Sequence, residues 1–154
     1  MSKHSEEAKL NFINGQNCAQ AVFSAFSDIT GFDKDAAYRL SSSFGGGIGR
    51  LREVCGALSG ALMVLGWLEG TYPVTDGEAK AAHYRDIQEI ARRFEAEAGS
   101  IKCWKILGIP EGPQEPVPEY HTPEYLAKRP CPRCCEIAAR VLDEFLEERE
   151  KKSV

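Results

Sequence analysis

Apolar side chains recur at helical spacing along almost all of this sequence, and nowhere do they alternate as a half-buried strand requires. That period predicts an all-α fold without a sheet: one compact bundle of about six helices spanning residues 1–154. Ser5 to Asn14 reads as a first helix, stopped at Gly15. A second opens with Asn17-Cys18-Ala19-Gln20, an Asn cap with Gln three residues on, and runs through Val22, Phe23 and Phe26. Asp33 caps a third helix, Lys34 to Ser42. The link Phe44-Gly45-Gly46-Gly47-Ile48-Gly49-Arg50 leads into an apolar helix from about Val54 to Leu68. Its Gly56, Ala57, Gly60 and Ala61 let another helix approach closely. Thr75-Asp76-Gly77-Glu78 has the form of a capping box for a long helix reaching Ala98. Ser100 is the expected cap of a short helix, Ile101 to Leu107. Residues 109–130 hold six of the eight prolines and read as a long irregular connection. A final helix begins at Cys131-Pro132 and ends in a charged tail, 149–154, expected to fray.

Several functions are disfavoured by charge and pattern. The formal net charge is −4 with both signs intermixed, so neither nucleic acid nor an anionic membrane is an expected partner. The Val54–Leu68 run is interrupted by Ser59 and glycines and falls short of the ~20 residues of a spanning helix. The polar N-terminus has no apolar signal core, so the expected location is the cytoplasm. The Val54–Leu68 helix is apolar around most of its circumference, which suggests a homodimer.

Six cysteines then need a reason to be present. A chain of 154 residues buries roughly 68–70% of its unfolded surface without cross-links, and structural disulfides are rare in the cytoplasm. Four of the six fall at expected helix starts: Cys18 after the cap Asn17, Cys55 in the opening turn of the apolar helix, Cys103 soon after Ser100, and Cys131 at a cap. A helix N-terminus carries about half a positive charge and unpaired N–H groups, which stabilise a thiolate and can bring a cysteine pKa from ~8.5 into the range of roughly 3.5–7.5. Thiolates exchange disulfides and bind soft metals. The competing reading is that these cysteines are small buried hydrophobes in a helical interaction protein.

Cys131-Pro132-Arg133-Cys134 has thiol-oxidoreductase spacing but opens a last helix instead of following a strand, so a thioredoxin-like fold is not supported. Cys135 stands where haem attachment requires His, and no haem is expected. The glycine run with Arg50 and Arg52 suggests an anion-holding nest or a tight turn where helices approach, the turn being favoured; it matches no nucleotide-binding fingerprint. His83 reads as a core histidine, His4 and His121 as residues of mobile segments, and Trp67 and Trp104 as packing residues.

The chain resembles the family of redox-active proteins named for the signature C_GCAxxG_C_C. The resemblance runs through Asn17-Cys18-Ala19-Gln20-Ala21-Val22, the Phe44–Arg50 glycine link and Glu53-Val54-Cys55-Gly56-Ala57-Leu58-Ser59-Gly60-Ala61. It continues in Cys103-Trp104-Lys105-Ile106-Leu107-Gly108 and in Cys131 ahead of Ala138-Ala139. It implies Cys18, Cys55, Cys103 and Cys131 as the signature cysteines, with Cys134 and Cys135 alternatives for the fourth. A similar domain in split-Soret cytochromes is thought to hold an iron–sulfur centre through its cysteines. The expectation is therefore a small redox protein, by thiol–disulfide cycling or as an iron–sulfur protein, with a redox partner the sequence does not name. The alternative is a non-catalytic module holding zinc or another soft metal through the same four cysteines.

Overall fold

The computed structural model describes residues 2–153; Met1 and Val154, the outermost residues of the polar N-terminus and of the expected frayed tail, lie outside them. The described residues form an all-α fold with six helices of eight residues or more: α1 (Lys3–Ile13), α2 (Cys18–Ala25), α4 (Lys34–Ser41), α6 (Gly56–Glu69), α7 (Gly77–Ala98) and α10 (Cys131–Lys152). Short turns fill the links: α3 (Ser27–Thr30), α5 (Gly45–Ile48), α8 (Cys103–Leu107) and α9 (Pro123–Lys128). Among the described residues the only sheet-like pairing is one antiparallel bridge between Val54 and Lys102. No described helix is long and apolar enough to cross a membrane.

Local chemistry explains most helix starts. Asn17 Oδ1 accepts from the Gln20 amide at 2.9 Å while Gln20 Oε1 accepts from the Asn17 amide at 3.1 Å, a reciprocal capping box. Asp33 caps α4 at 2.7 Å. The long helix α7 is capped by Asp76, which accepts from Ala79 at 3.0 Å, one residue later than the expected Thr75. Ser100 closes a turn onto Lys102 and caps nothing; α8 begins at Cys103. Inside the stretch read as irregular, Thr122 caps α9, with Pro123 at its first position. The tail expected to fray stays helical to Lys152.

Helices α2, α6 and α10 pack on one another, with α1 laid across α2 and α10, α7 across α6 and α10, and α4 outside α2. Phe12, Phe26, Leu58, Leu65, Ile90, Phe94 and Leu142 are fully buried between them. Seven residues of α6, from Gly56 to Leu65, are buried within the single chain, while Trp67 near its end is 54% exposed.

The glycine link has an unusual conformation. Gly46, Gly47, Ile48, Gly49 and Arg50 all have φ between 57° and 69°, and the Gly49 amide donates to the Gly45 carbonyl at 2.8 Å. This is one turn wound in the left-handed sense. L-residues lose roughly 1–2 kcal/mol each there while glycine does not, which accounts for glycine at three of the five positions. Space demands glycine as well: a Cβ on Gly47 would stand 2.6 Å from Cys103 Cβ, and one on Gly45 would overlap the Asn17 side chain. The tight turn favoured from the sequence is thus present, in left-handed form.

Histidine 4 is not in a mobile segment. Its ring stacks on Phe26 with centroids 4.2 Å apart and meets Asp143 at 2.8 Å and Asp28 at 2.9 Å. His121 is also fixed, its Nδ1 at 2.6 Å from the Phe12 carbonyl and its ring stacked between Phe12 and Tyr125.

At the far end of the bundle Arg149 joins Glu69 and Asp86, tying α6, α7 and α10 together at 2.9 and 2.6 Å. Burial first, and then the neighbouring Asp86 carboxylate, push the Glu69 carboxyl up to about 7 despite Arg149. The folded chain then holds a proton that the unfolded chain has released, so Glu69 opposes folding increasingly as pH rises from about 4.3 to 7. Glu69→Gln is expected to raise the melting temperature by about 2–4 °C at pH 8 and to leave it unchanged near pH 4. Equal shifts at both pH values would show that this carboxyl ionises freely.

Candidate redox site

The N-terminal ends of four helices deliver the site. Cys18 and Cys131 are the first residues of α2 and α10, Cys103 is the first of α8, and Cys55 is the cap of α6. Chain crossing brings the middle two together: the Cys55 amide donates to Ile101 O at 2.8 Å, and the Cys103 amide donates to Glu53 O at 2.6 Å, on either side of the Val54–Lys102 bridge. Cys18, Cys55, Cys103 and Cys131 all line one cleft of about 400 Å³, and Cys134 lines it too. Cys135 lies just behind, fully buried, with its sulfur 3.9 Å from the Cys18 carbonyl.

All six cysteines are free. Cys18 and Cys131, both half-buried, line the same cleft and lie close enough to shift each other's titration; Cys135 acts on Cys18 as well. Deeper in, Cys55 and Cys134 are both buried, line the same cleft and lie close enough for Cys134 to raise the Cys55 pKa. Cys103 has a different neighbour: Arg52 Nη1 donates to its sulfur at 3.5 Å.

Depressed thiol pKa values, expected from the helix starts, are not what this environment produces. For Cys18 the strongest influence, the hydrogen bond from Cys131, favours the thiolate, but the Cys135 thiol and burial outweigh it and the pKa rises well above the ordinary value. The Cys134 hydrogen bond and then burial push Cys55 up, while the Ala57 and Leu58 amides at the start of α6 pull it down. The helix-end effect is therefore present but smaller than its opponents. Burial raises Cys103 against the pull of Arg52. Hydrogen bonding to Cys18, and then burial, raise Cys131. Thiols packed against thiols inside a protein stay protonated, because ionising one places a charge in a poorly solvated, poorly cationic setting.

A family model described as "Putative redox-active protein (C_GCAxxG_C_C)" matches residues 16–145. The chain belongs to this family. No curated protein and no solved structure matches the chain. The match takes in α2 with Cys18, the left-handed glycine turn, Cys55 with α6, Cys103 and the cysteine-bearing start of α10, so the redox-active family and the all-α fold belong together here.

An iron–sulfur or zinc centre asks for three or four thiolates converging on one point. Among the described residues no group of three or more His, Cys, Asp or Glu side chains is arranged to hold a metal ion. The donor type suits such a centre and the four thiols share one cleft, but they do not converge on one point, and Cys103 accepts from Arg52. Two contributors had only a secondary place in the sequence reading. Cys134, named there as an alternative to Cys131, sits one helical turn after it and lines the cleft as well. Arg52 is buried at the site, and its only sequence signal was its place beside the glycine run.

Proposed function

We propose that the protein is a dithiol–disulfide redox protein whose accessible pair is Cys18–Cys131, backed by the buried pair Cys55–Cys134. The observation that carries this reading is that Cys18 and Cys131, the first residues of α2 and α10, are half-buried in one cleft while the other four thiols are buried. One thiol of the pair gives up its proton as its sulfur attacks a sulfur of a substrate disulfide, forming a mixed disulfide and releasing one substrate thiol. The second cysteine then attacks the mixed disulfide, releasing the other substrate thiol and leaving the protein disulfide. Two protein thiols are oxidised and one disulfide is reduced to two thiols, with the two protons passing to the products.

The expected result is specific. After treatment with a small disulfide, peptide mapping by mass spectrometry should find Cys18 linked to Cys131, and Cys131→Ser should stop at a mixed disulfide on Cys18. Absence of any intramolecular disulfide would sink the reading.

A second reading draws support from the shared cleft: Cys18, Cys55, Cys103 and Cys131 as ligands of an iron–sulfur cluster or zinc. A cluster would supply one-electron transfer; zinc would only cross-link the four helix starts. Protein purified without oxygen separates these readings. Brown colour with iron and sulfide favours the cluster, stoichiometric zinc favours the module, and metal-free protein with six titratable thiols favours the dithiol.

A further inference from the structure

We propose that Arg50 and Arg52 form a binding site for the carboxylate of a small anionic disulfide, the substrate class of the Cys18–Cys131 dithiol; the disulfide part of this inference rests on the dithiol reading above. Arg52 is 4% exposed. Its Nε donates to Gln114 Oε1 at 2.8 Å and its Nη1 to the Cys103 sulfur at 3.5 Å, both uncharged acceptors. Arg50 donates to the Glu115 carbonyl at 2.6 Å and to Gln114 Oε1 at 3.4 Å. Both arginines line the cleft, and among the described residues neither meets a carboxylate in an ion pair. Elsewhere the chain treats arginine differently: Arg93, Arg140 and Arg149 each engage two acids. Among the described residues the single carboxylate lining the cleft, Glu119, is tied to Arg129.

A desolvated guanidinium without a counter-charge is unfavourable, yet the backbone is strained to hold these two in place. Arg50 and Arg52 have φ of 69° and 61°, in a region other side chains avoid. Guanidinium groups grip carboxylates through paired N–H donors. The cleft of about 400 Å³ falls within the range of small-molecule sites. Pro116, Pro118, Ile106 and Tyr125 offer apolar cover for a short hydrocarbon body. A molecule anchored by its carboxylate on the arginines has its sulfurs in the cleft that Cys18 and Cys131 line.

Dithiodipropionate (anionic) and cystamine (cationic) share a short aliphatic frame around the disulfide, and the non-reactive thioether thiodipropionate reports binding alone. Thiol oxidation by each disulfide, followed in wild type, Arg50→Gln and Arg52→Gln, gives a ratio of rates from which each reagent's own reactivity cancels. In both variants the dithiodipropionate rate should fall at least about tenfold relative to the cystamine rate. Calorimetric binding of thiodipropionate to wild type should weaken by a similar factor in Arg50→Gln. Should Arg52→Gln fail to fold, Arg50→Gln, at a half-exposed position, carries the test with Arg52→Lys beside it. Equal losses for both disulfides, with no thiodipropionate binding, would overturn the proposal and leave the arginines as tuners of the thiols. If neither disulfide oxidises wild type while thiodipropionate still binds, the dithiol reading and the substrate class fall and the carboxylate site alone stands.

Discussion

Gly60→Leu is expected to prevent the protein from reaching its native fold, and Gly60→Ala to lower its stability measurably. A Cβ placed on Gly60 would lie 2.8 Å from the Ala19 carbonyl oxygen, 3.1 Å from Val22 Cβ and 3.2 Å from the Phe23 amide. Two of these three neighbours are backbone of α2, which cannot swing aside as a side chain can. Overpacking a core ordinarily costs about 1–3 kcal/mol; leucine here must separate two central helices, against a total stability of roughly 5–15 kcal/mol. Alanine is a better helix former than glycine by about 1 kcal/mol, so a loss in Gly60→Ala isolates the steric effect. Gly66 lies on the same helix with nothing within 4 Å of its would-be Cβ. Gly66→Ala should therefore be neutral or stabilising. Urea unfolding of the two alanine variants is the measurement, and matching midpoints would mean that α2 and α6 do not pack closely. The close approach also serves the site: a Cβ on Gly56, one turn earlier, would stand 3.1 Å from Cys18 Cβ, so any separation of the helices carries Cys18 away from Cys55.

What the sequence made legible was local. Periodicity located every helix of eight residues or more, and the caps Asn17 and Asp33 set their starts, because those signals act within four residues of themselves. Cysteine placement at helix starts was equally local, and it pointed to side chains that line one cleft. The thiol pKa direction was not legible, since it depends on how many thiols face one another after folding, and Cys134 facing Cys55 is a contact between distant segments. Helix α9 escaped notice because six residues among many prolines give periodicity too little length. The left-handed turn was half visible: the glycines announced freedom of φ, but not that Ile48 and Arg50 would share it. His4 was the plainest miss, because its principal partner lies 139 residues away.

His4→Ala is expected to destabilise the fold by about 3–5 kcal/mol, the cost of leaving a buried charge without its partner. Asp143 on α10 is 9% exposed, and among the described residues its Oδ2 has no hydrogen-bond partner, so its compensation comes through Oδ1, at 2.8 Å from His4 Nδ1. The other ring nitrogen meets Asp28 at 2.9 Å, so both nitrogens of the ring are engaged by carboxylates. One histidine thus pins α1 to α10 and to α3, with Phe26 stacked beneath it. Burial acts first to raise the Asp28 carboxyl, but the hydrogen bond and charge of His4, together with Lys3, bring it below the usual aspartate range. A lowered carboxyl pKa contributes stability above that range which is lost as pH falls through it. Asp28 is half exposed, so its share of the loss is the smaller one. In His4→Ala the unfolding free energy should therefore drop at pH 7, and its decline below about pH 4 should flatten. The double variant His4→Phe with Asp143→Leu removes both charges and keeps the volume apolar, so it should recover most of the loss. Urea unfolding of the single and double variants decides the matter: a His4→Ala loss below about 1 kcal/mol, or a double variant no better than the single, would show that this bridge is a surface contact and that α1 is held by its apolar face alone.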